Sequence, residues 1–408
     1  MPPLRLHPVP LRSAIVEPET APDTRIASLH RAVAPNDTAG TRRLSPEWRH
    51  ALVVGAGSFA IARVVTELIA LVTAYGSSFG SVVRHNPQAA ITVWEQWDAR
   101  YYLNIATTGY STPQFAAFPP LPSLLIRAVS SFLHMEPLVA GLLISFVAGC
   151  AACAVLIRLV GLDHDSRTAA LSVFLLLTFP TALFLQTVYA ESLLLLLCVA
   201  AFLAIRRGNV ALAGVLAGLA VLTKTYAVIL VIPLFWEHLE MRGWSPARGL
   251  RASALIVVPT VLALTGWMLF LARTFHDASL VLTAERFWGR TASPPWVAFA
   301  GGVRSITGAH LVEGMSLVAA LLLIAAAVYA WRRVRRSYAI LLALSALAFT
   351  TSGVLTSTAR YSIVVFPLFI VAAVIAVRRT WLERIWVVTT IPLGVYLLSA
   401  FATGRWAG

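Results

Sequence analysis

The chain has 408 residues, of which 58% are hydrophobic and 12% are charged, and its formal net charge is +14. A soluble protein of this length needs far more polar surface, so the composition excludes a soluble globular enzyme and predicts an integral membrane protein. The positive charge does not indicate nucleic acid, because arginines that flank membrane helices account for it. The single lysine, Lys224, beside 31 arginines is typical of a GC-rich bacterial genome.

The first 48 residues differ from the rest in composition. Residues 1–48 are rich in Pro, Arg, Thr and Ala and contain no apolar stretch long enough to pack, so we interpret them as a disordered basic tail. A signal peptide needs an apolar core near the start, and none is predicted here. Residues 49–408 are expected to form one integral-membrane domain.

Apolar segments recur along this domain, and each can be compared with the roughly 20 residues that span a bilayer as a helix. We expect an all-α polytopic bundle of about eleven transmembrane helices. They are predicted at 51–74, 138–160, 168–186, 190–205, 209–223, 226–236, 252–272, 314–331, 338–356, 361–377 and 385–402. The two segments on either side of Lys224 could also form one broken helix.

The first apolar segment carries two charged residues, Arg63 and Glu67. Their i,i+4 spacing places them on one face of a helix. Exposure of either side chain to lipid would be costly, so we expect them to pair with each other or to face the bundle interior.

The distribution of arginine predicts the orientation of the chain, because cytoplasmic loops are enriched in basic residues. With the tail on the cytoplasmic side, alternate loops are arginine-rich and the remaining loops are extracytoplasmic. The arginines beyond the tail that this assignment places inside are Arg158, Arg167, Arg206, Arg207, Arg242, Arg248, Arg251, Arg332, Arg333, Arg335, Arg336, Arg378, Arg379 and Arg384. The sequence therefore predicts a multi-pass protein of the cell membrane with a cytoplasmic N-terminus.

Two segments on the predicted outer side, 75–137 and 273–313, are longer than simple connectors. The first contains the stretch WEQWDARYY, and two interfacial helices are expected within it, at 97–106 and 121–133. Both segments combine aromatic with charged residues. That combination favours an ordered, functional surface at the membrane edge.

A few charged residues on the predicted outer side could carry chemistry. Asp98 could cap the N-terminus of the helix that follows it, or it could act as a general base. Glu191 lies in a short turn, where a carboxylate is costly without a partner. Lys224 could snorkel to the interface or hold a phosphate, and Arg360 is a lone cation at the outer start of a helix.

Together with Arg286 and Arg290, these residues predict an extracytoplasmic pocket with one or two carboxylates and several cations. A carboxylate can take the proton from an attacking sugar hydroxyl, and cations can stabilise a departing phosphate. This is the chemistry of a glycosyltransferase that uses a lipid-phosphate sugar, whose lipid chain would remain in the bilayer.

The order of the motifs supports a family resemblance. Residues 97–110, WDARYYLNIATTGY, resemble the W-D-A-x-x-[YF]-x-x-I-A-x-x-G-Y signature of the PIG-V-type mannosyltransferases, members of the GT-C superfamily of multi-spanning glycosyltransferases. Weaker similarities follow in the family's order. They are AFPPLPSLLIR at 117–127, YAES at 189–192, LTKT at 222–225, RYSIVVFPLF at 360–369 and GRW at 404–406. The chain departs from the family where Pro119 and Pro122 replace aromatic residues and where Lys224 replaces an arginine.

The resemblance implies a GT-C-type bundle and an inverting transfer of mannose from a polyprenyl-phosphate donor to an acceptor hydroxyl on the extracytoplasmic face. In that superfamily the first outer loop bears the catalytic acid, so Asp98 would be the general base. Lys224, Arg360, Arg286 and Arg290 would hold the donor phosphate. The remaining pocket residues would be Trp94, Trp97, Tyr102, Tyr189, Glu191 and Tyr361. Trp97 could equally be an aromatic anchor at the membrane interface.

Partners and alternatives follow from the same interpretation. The expected partners are a polyprenyl-phosphate-linked sugar, a lipid, glycan or protein acceptor, and membrane lipids, but no nucleic acid. A divalent metal assists some GT-C enzymes, but no D-x-D cluster indicates one here. The alternatives are a transporter or flippase of lipid-linked sugars, and a non-catalytic subunit with the same fold. Charges gathered at one outer face favour the enzyme, because a transporter of this kind would carry ionisable groups near the bilayer midplane.

Overall fold

The structure is a computed structural model that describes residues 44–76, 87–307 and 310–408. Within these ranges the chain is helical and forms no β-strand, which confirms the predicted all-α class. Ser45–Gly408 form one compact unit. Most of the predicted tail lies outside the described residues, and the first helix begins at Pro46, slightly before the predicted end of the tail.

The α-helices of eight or more residues in the described ranges are numbered in chain order. They are α1 (Pro46–Gly76), α2 (Asp98–Thr108), α3 (Pro120–Leu133), α4 (Pro137–Val160), α5 (Ser166–Leu177), α6 (Glu191–Arg206), α7 (Val210–Val221), α8 (Val231–Arg242), α9 (Pro246–Phe275), α10 (Pro295–Thr307), α11 (Leu311–Arg333), α12 (Arg336–Thr350), α13 (Pro367–Arg378) and α14 (Thr380–Ala402). Each predicted apolar segment corresponds to one of these helices, but several segments are only partly helical. The first helix includes a π-helical stretch at Leu52–Ala56.

Five helices in the described ranges are long and apolar enough to cross a bilayer: Pro46–Gly76, Pro137–Val160, Gly249–Phe275, Leu311–Arg333 and Thr380–Ala402. They place the chain among integral membrane proteins. Several other predicted spans are shorter as α-helices. A 12-residue helix such as α5 is about 18 Å long, whereas the hydrocarbon core is about 30 Å thick. The remaining depth is covered by 3₁₀-helices and irregular backbone.

The segment between α5 and α6 shows how irregular backbone is accommodated. Residues 179–190 are buried, and non-helical backbone at membrane depth is tolerated only where protein covers it and supplies hydrogen bonds. Ser145 Oγ donates to Thr187 O at 2.7 Å, and Ser192 Oγ donates to Leu185 O at 2.5 Å. These side chains hold the segment that leads to Glu191, the first residue of α6.

The predicted pair in α1 is formed. Arg63 Nη2 lies 2.5 Å from Glu67 Oε2, and the Arg63 guanidinium also donates to the backbone oxygen of Gln186. Trp94 Nε1 donates to the second carboxylate oxygen of Glu67 at 3.2 Å. The pair therefore faces protein and connects α1 with the irregular segment.

The two long segments on the predicted outer side pack against each other. The interfacial helices expected at 97–106 and 121–133 are observed as α2 and α3. The 3₁₀-helix Pro113–Ala117 contacts a second 3₁₀-helix, Ala284–Trp288. The Trp288 ring lies 5.7 Å from the Tyr101 ring and 5.6 Å from the Phe118 ring. Together these described parts of the two segments form an aromatic layer.

A network of ion pairs lies at the end of the bundle away from this layer. Glu237, whose side chain is fully buried, accepts from Arg335 Nη2 at 2.7 Å and from Ser337 Oγ at 2.5 Å. Arg206 lies between Glu237 and Asp163, with Nε 3.2 Å from Glu237 Oε1 and Nη1 2.7 Å from Asp163 Oδ2. A buried charge is tolerated when it is paired and hydrogen-bonded, as here. The network connects α6, α8 and α12.

Ser337→Ala tests this network. We expect the free energy of unfolding to fall by about 1.5–3 kcal/mol, because the Ser337 hydroxyl donates to a buried carboxylate. The measurement is chemical or thermal unfolding of the purified protein in detergent.

Thr389→Ala is the control for Ser337→Ala, since the exposed Thr389 hydroxyl donates to carbonyl groups of its own helix. Its effect should stay within about 0.5 kcal/mol. Equal losses in the two variants would contradict a stabilising role for Ser337.

Candidate active site

Asp98 is the first residue of α2 and follows an unusual backbone conformation. Trp97 occupies the N-cap position with φ 54°, and no side chain caps the helix. The carboxylate of Asp98 accepts a hydrogen bond from Arg360 instead. The capping role considered for Asp98 is therefore wrong. Tyr189 positions the start of the helix, because its hydroxyl accepts from Asp98 N at 3.3 Å and donates to Gln96 O at 3.2 Å.

Arg360 lies on the short helix Thr358–Ser362, which also follows a non-glycine residue with positive φ, Ser357 at 65°. Such conformations are rare outside glycine and persist only where the surrounding structure enforces them. Trp97 and Ser357 thus mark the two chain segments that bring Asp98 and Arg360 together.

The Arg360 guanidinium lies between two carboxylates. Its Nη2 donates to Asp98 Oδ2 at 2.7 Å, and its Nε lies 2.9 Å from Glu191 Oε1. The second contact is an ion pair without hydrogen-bond alignment, since neither Glu191 oxygen is hydrogen-bonded within the described part of the chain. All three side chains are buried. Four aromatic rings surround the guanidinium at 4.8–5.8 Å, those of Phe184, Tyr189, Tyr361 and Trp406.

Lys224 follows α7, where the chain changes from an α-helix to the 3₁₀-helix Thr225–Leu230, and the residue is buried. Its Nζ lies 5.5–5.8 Å from the ring centroids of Tyr102, Phe118 and Tyr361. The side chain therefore does not snorkel to water. The two buried carboxylates of the site, those of Asp98 and Glu191, pair with Arg360 rather than with Lys224. Its positive charge is placed where an anionic ligand would be stabilised.

Arg290 reaches the site from the second outer segment. Its Nη1 donates to Glu285 Oε2 at 3.1 Å and to Tyr361 Oη at 3.0 Å, and its Nη2 donates to Thr356 O at 3.0 Å. These bonds tie the aromatic layer to the segment that carries Arg360.

Two adjoining cavities open around these residues. The first, which we call the Asp98 cavity, has a volume of about 310 Å³ and is lined by Asp98, Lys224, Arg290 and Arg360 together with tryptophans. The second has a volume of about 350 Å³, shares Lys224 and Arg290 with the first, and continues along apolar side chains that include Val281. Lys224 and Arg290 thus border both cavities, whereas Asp98 and Arg360 line the first.

The protonation state of Asp98 is set by two opposing effects. Burial would raise the pKa of Asp98, but the positive charges of Arg360 and Lys224 outweigh it and hold the pKa below its usual value. The group lies on α2, which is not one of the membrane-spanning helices. Its carboxylate is therefore ionised at neutral pH and can accept a proton.

The structure brings most of the predicted site residues together. Those that line the Asp98 cavity are Asp98, Lys224, Arg290, Arg360, Trp97 and Tyr361. Three further predicted residues do not line the cavity but contact residues that do. Tyr102 contacts Lys224, Tyr189 contacts Asp98, and Glu191 contacts Arg360. Trp94 and Arg286 do not line either cavity. Trp94 is buried against Phe401, and Arg286 is exposed.

Sequence reasoning missed several cavity residues, notably Tyr101, Glu285, Trp288 and Trp406. Trp406 packs edge-on against Trp97 at 5.2 Å and lies beside Arg360. The late G-x-W similarity was the only signal for it. Among the described residues, no group of three or more His, Cys, Asp or Glu side chains converges as a metal site would require.

The sequence matches the model of one known protein family. A family model described as glycosyltransferase family 87 matches residues 116–358. A comparison with curated proteins gives no match.

Solved structures resemble the chain only distantly. One is the archaeal oligosaccharyltransferase AglB from Archaeoglobus fulgidus in complex with an inhibitory peptide and a dolichol-phosphate, with 13% identity and a TM-score of 0.45 over 86% of this chain and 56% of that one. Another is ArnT from Cupriavidus metallidurans bound to undecaprenyl phosphate, with 16% identity and a TM-score of 0.40 over 80% and 78%. The chain spans little more than half the length of the oligosaccharyltransferase.

Proposed function

The chain belongs to glycosyltransferase family 87, and on this premise we propose that it transfers a sugar from a polyprenyl-phosphate donor to an acceptor hydroxyl bound in the Asp98 cavity. One observation carries the proposal. An ionised carboxylate, Asp98, and three cations, Lys224, Arg290 and Arg360, line the same cavity at one end of a membrane bundle.

The proposed reaction is a single displacement with inversion. The acceptor oxygen attacks the anomeric carbon, Asp98 takes the hydroxyl proton, and the bond from the anomeric carbon to the phosphate oxygen breaks. The electron pair leaves with the polyprenyl phosphate. A positioned base contributes by removing the proton as the bond forms, and fixed cations stabilise the charge that develops on the phosphate.

The cavities suggest where each substrate binds. The acceptor hydroxyl has to reach Asp98, so it belongs in the Asp98 cavity. Lys224 and Arg290 border both cavities, so a donor phosphate beside them would place the anomeric carbon at the boundary. The apolar lining of the second cavity suits the start of a lipid chain. Arg360 contacts the buried carboxylates of Asp98 and Glu191. We assign it two roles: it positions Asp98, and it contributes positive charge to the phosphate site.

The finer assignments belong to the same proposal. The sugar is mannose and the chain is a PIG-V-type member of the GT-C superfamily, as the W-D-A motif at 97–99 implies. The site faces the extracytoplasmic side, as the arginine distribution predicts.

The test is transfer of labelled sugar by the purified chain in vesicles, with polyprenyl-phosphate-mannose as the donor and a lipid extract of the source membrane as the acceptor. We expect release of polyprenyl phosphate together with a labelled product. Transfer from a nucleotide sugar but not from the lipid-linked donor would contradict the donor assignment. Binding of the donor without turnover by the wild type would instead favour a non-catalytic subunit.

Lys224→Gln should lower kcat/KM for the donor by about 10- to 100-fold, which corresponds to about 1.4–2.7 kcal/mol of lost transition-state stabilisation. The reason is the loss of a buried positive charge beside the proposed phosphate position. Lys224→Arg should retain more activity because it keeps the charge. Initial rates at several donor concentrations give the values.

The control for Lys224→Gln is Arg273→Gln, which removes an exposed cation near the end of α9 and outside both cavities. It should leave kcat/KM within about twofold, since distant exposed charges are screened. A comparable loss in both variants would remove Lys224 from the phosphate site.

A further inference from the structure

Glu285 is a second carboxylate of the candidate active site, and the proposed reaction gives it no role. Among the described residues that line both cavities, Glu285 is the acidic one, and Lys224 and Arg290 are the basic ones. Asp98 lines the first cavity and not the second. The Glu285 side chain is 44% exposed, so a ligand at the boundary between the cavities can contact it.

A tight turn fixes the position of this carboxylate. Glu285 lies on the 3₁₀-helix Ala284–Trp288, which ends at Gly289 with φ 71°. Beyond this glycine, Arg290 N donates to Glu285 O at 3.2 Å, and Arg290 Nη1 donates to Glu285 Oε2 at 3.1 Å. Backbone and side chain of Arg290 thus both hold Glu285. The carboxylate is preorganised, so it loses little conformational freedom when a ligand binds.

The two carboxylate oxygens of Glu285 differ in their contacts. Oε2 accepts the hydrogen bond from Arg290, whereas Oε1 accepts no hydrogen bond from the described residues. An ionised carboxylate has no proton to donate, so the partner of Oε1 has to be a donor such as a hydroxyl. Hydrogen bonds to a charged acceptor are roughly twice as strong as those between neutral groups. Oε1 is therefore a fixed and strong acceptor for a hydroxyl at the cavity boundary.

The neighbouring charges indicate which part of a substrate provides this hydroxyl. The proposed donor phosphate lies beside Lys224 and Arg290, at the same boundary as Glu285. A carboxylate repels a phosphate, so the position of Glu285 does not suit the phosphate itself. It suits a neutral group that carries hydroxyls and lies next to the phosphate. In the proposed reaction that group is the donor sugar, whose anomeric carbon would lie at this boundary.

We propose that Glu285 determines specificity for the donor sugar, with Oε1 accepting a hydrogen bond from one of the sugar's hydroxyls. The proposal rests on the proposed function, because it takes the position of the donor phosphate from it. A site that hydrogen-bonds a substrate hydroxyl discriminates against an analogue without it, because the polar group of the site is left unpaired. A donor that lacks this hydroxyl is therefore a poor substrate.

The test compares polyprenyl-phosphate-mannose with a series of analogues that each lack one sugar hydroxyl, using the purified full chain in vesicles. For one analogue, kcat/KM of the wild type should be about 10- to 100-fold lower than for the parent donor. Glu285→Gln should reduce this difference to about threefold, because the amide can keep the bond to Arg290 but lacks the negative charge.

Asp277→Asn is the control for Glu285→Gln. It removes a carboxylate from the same outer segment, where Asp277 Oδ1 accepts from Ser279 N at 2.7 Å, and it lies outside both cavities. This variant should keep the full difference between the donors. If Glu285→Gln fails to fold, Glu285→Asp keeps the charge but shortens the side chain by one methylene, and it should also reduce the difference.

The outcomes separate this proposal from the proposed function. If the wild type transfers no sugar from the parent donor, the proposed function fails and the role of Glu285 fails with it. If the wild type transfers sugar and the folded Glu285 variants keep the same difference between donors, only the role of Glu285 is overturned. A loss of kcat/KM that is equal for all donors would also overturn that role, because Glu285 would then only hold Arg290 in place.

Discussion

Asp98→Asn is expected to reduce sugar transfer by about 100- to 10,000-fold, the range over which a positioned general base contributes. The amide has the same shape as the carboxylate but cannot take the proton from the acceptor hydroxyl. Arg360 would still be paired with Glu191 at 2.9 Å, so the fold should persist. The measurement is the single-turnover rate with saturating polyprenyl-phosphate-mannose.

A matched control for Asp98→Asn lies in the same motif. Glu95→Gln removes a carboxylate three residues away that lines neither cavity, and its rate should stay within about threefold of wild type. Thermal unfolding of both variants separates catalysis from stability. If Asp98→Asn retained more than about a tenth of the activity, Asp98 would not be the base.

Arg360→Gln is expected to lower the free energy of unfolding by about 3–5 kcal/mol, because removal of one partner leaves a buried charge uncompensated. Here two carboxylates, those of Asp98 and Glu191, would lose their partner. Both residues are buried, with exposed fractions of 9% and 1%. Activity should fall with stability, because the position of Asp98 depends on the same guanidinium. The measurement is equilibrium unfolding in detergent, followed by tryptophan fluorescence.

A double-mutant cycle distinguishes lost pairing from general damage. Glu191→Gln in the Arg360→Gln background should recover part of the lost stability, because one uncompensated charge disappears. Arg290→Gln is the comparison, and it should cost only about 1 kcal/mol, since its acidic partner Glu285 is partly exposed. Additive losses at Arg360 and Glu191 would show that the two residues do not interact energetically.

The sequence predicted which residues lie together in the candidate site, but it did not predict which of them form direct contacts. The motif at 97–110 and the lone cations at 224 and 360 led to residues that meet in one cavity. The direct bond between Asp98 and Arg360 could not be predicted, because 262 positions separate the two residues and no periodic pattern relates them. Trp288 was also missed, since an aromatic residue in a loop does not reveal which cavity it will face.

The continuity of the membrane helices was a second feature that the sequence could not predict. Apolar length alone predicted continuous spans, but residues 179–190 are buried and irregular apart from a short 3₁₀-helix at Ala182–Leu185. Its carbonyl groups are satisfied by side chains from other helices, such as Ser145 Oγ on α4 and the guanidinium of Arg63 on α1. A window of hydropathy cannot detect a hydrogen bond of this kind, because the donor lies in a distant part of the chain.

Two arginines have a role that the sequence did not predict. Arg206 and Arg335 served in the sequence analysis only to predict the orientation of the chain. In the folded chain they neutralise the buried carboxylate of Glu237. Their acidic partners were not predicted, because pairing across helices depends on packing rather than on local sequence.

The pairing of Asp98 and Glu191 with Arg360 also constrains how the protein is made. Both acidic residues leave the ribosome long before Arg360, which is synthesised only when most of the chain is already in the membrane. Until then the two carboxylates face an incomplete interior without the cation that neutralises them. We therefore expect a chain terminated before Arg360 to be less stable around Asp98 and Glu191 than the full chain, because both buried carboxylates would lack this partner.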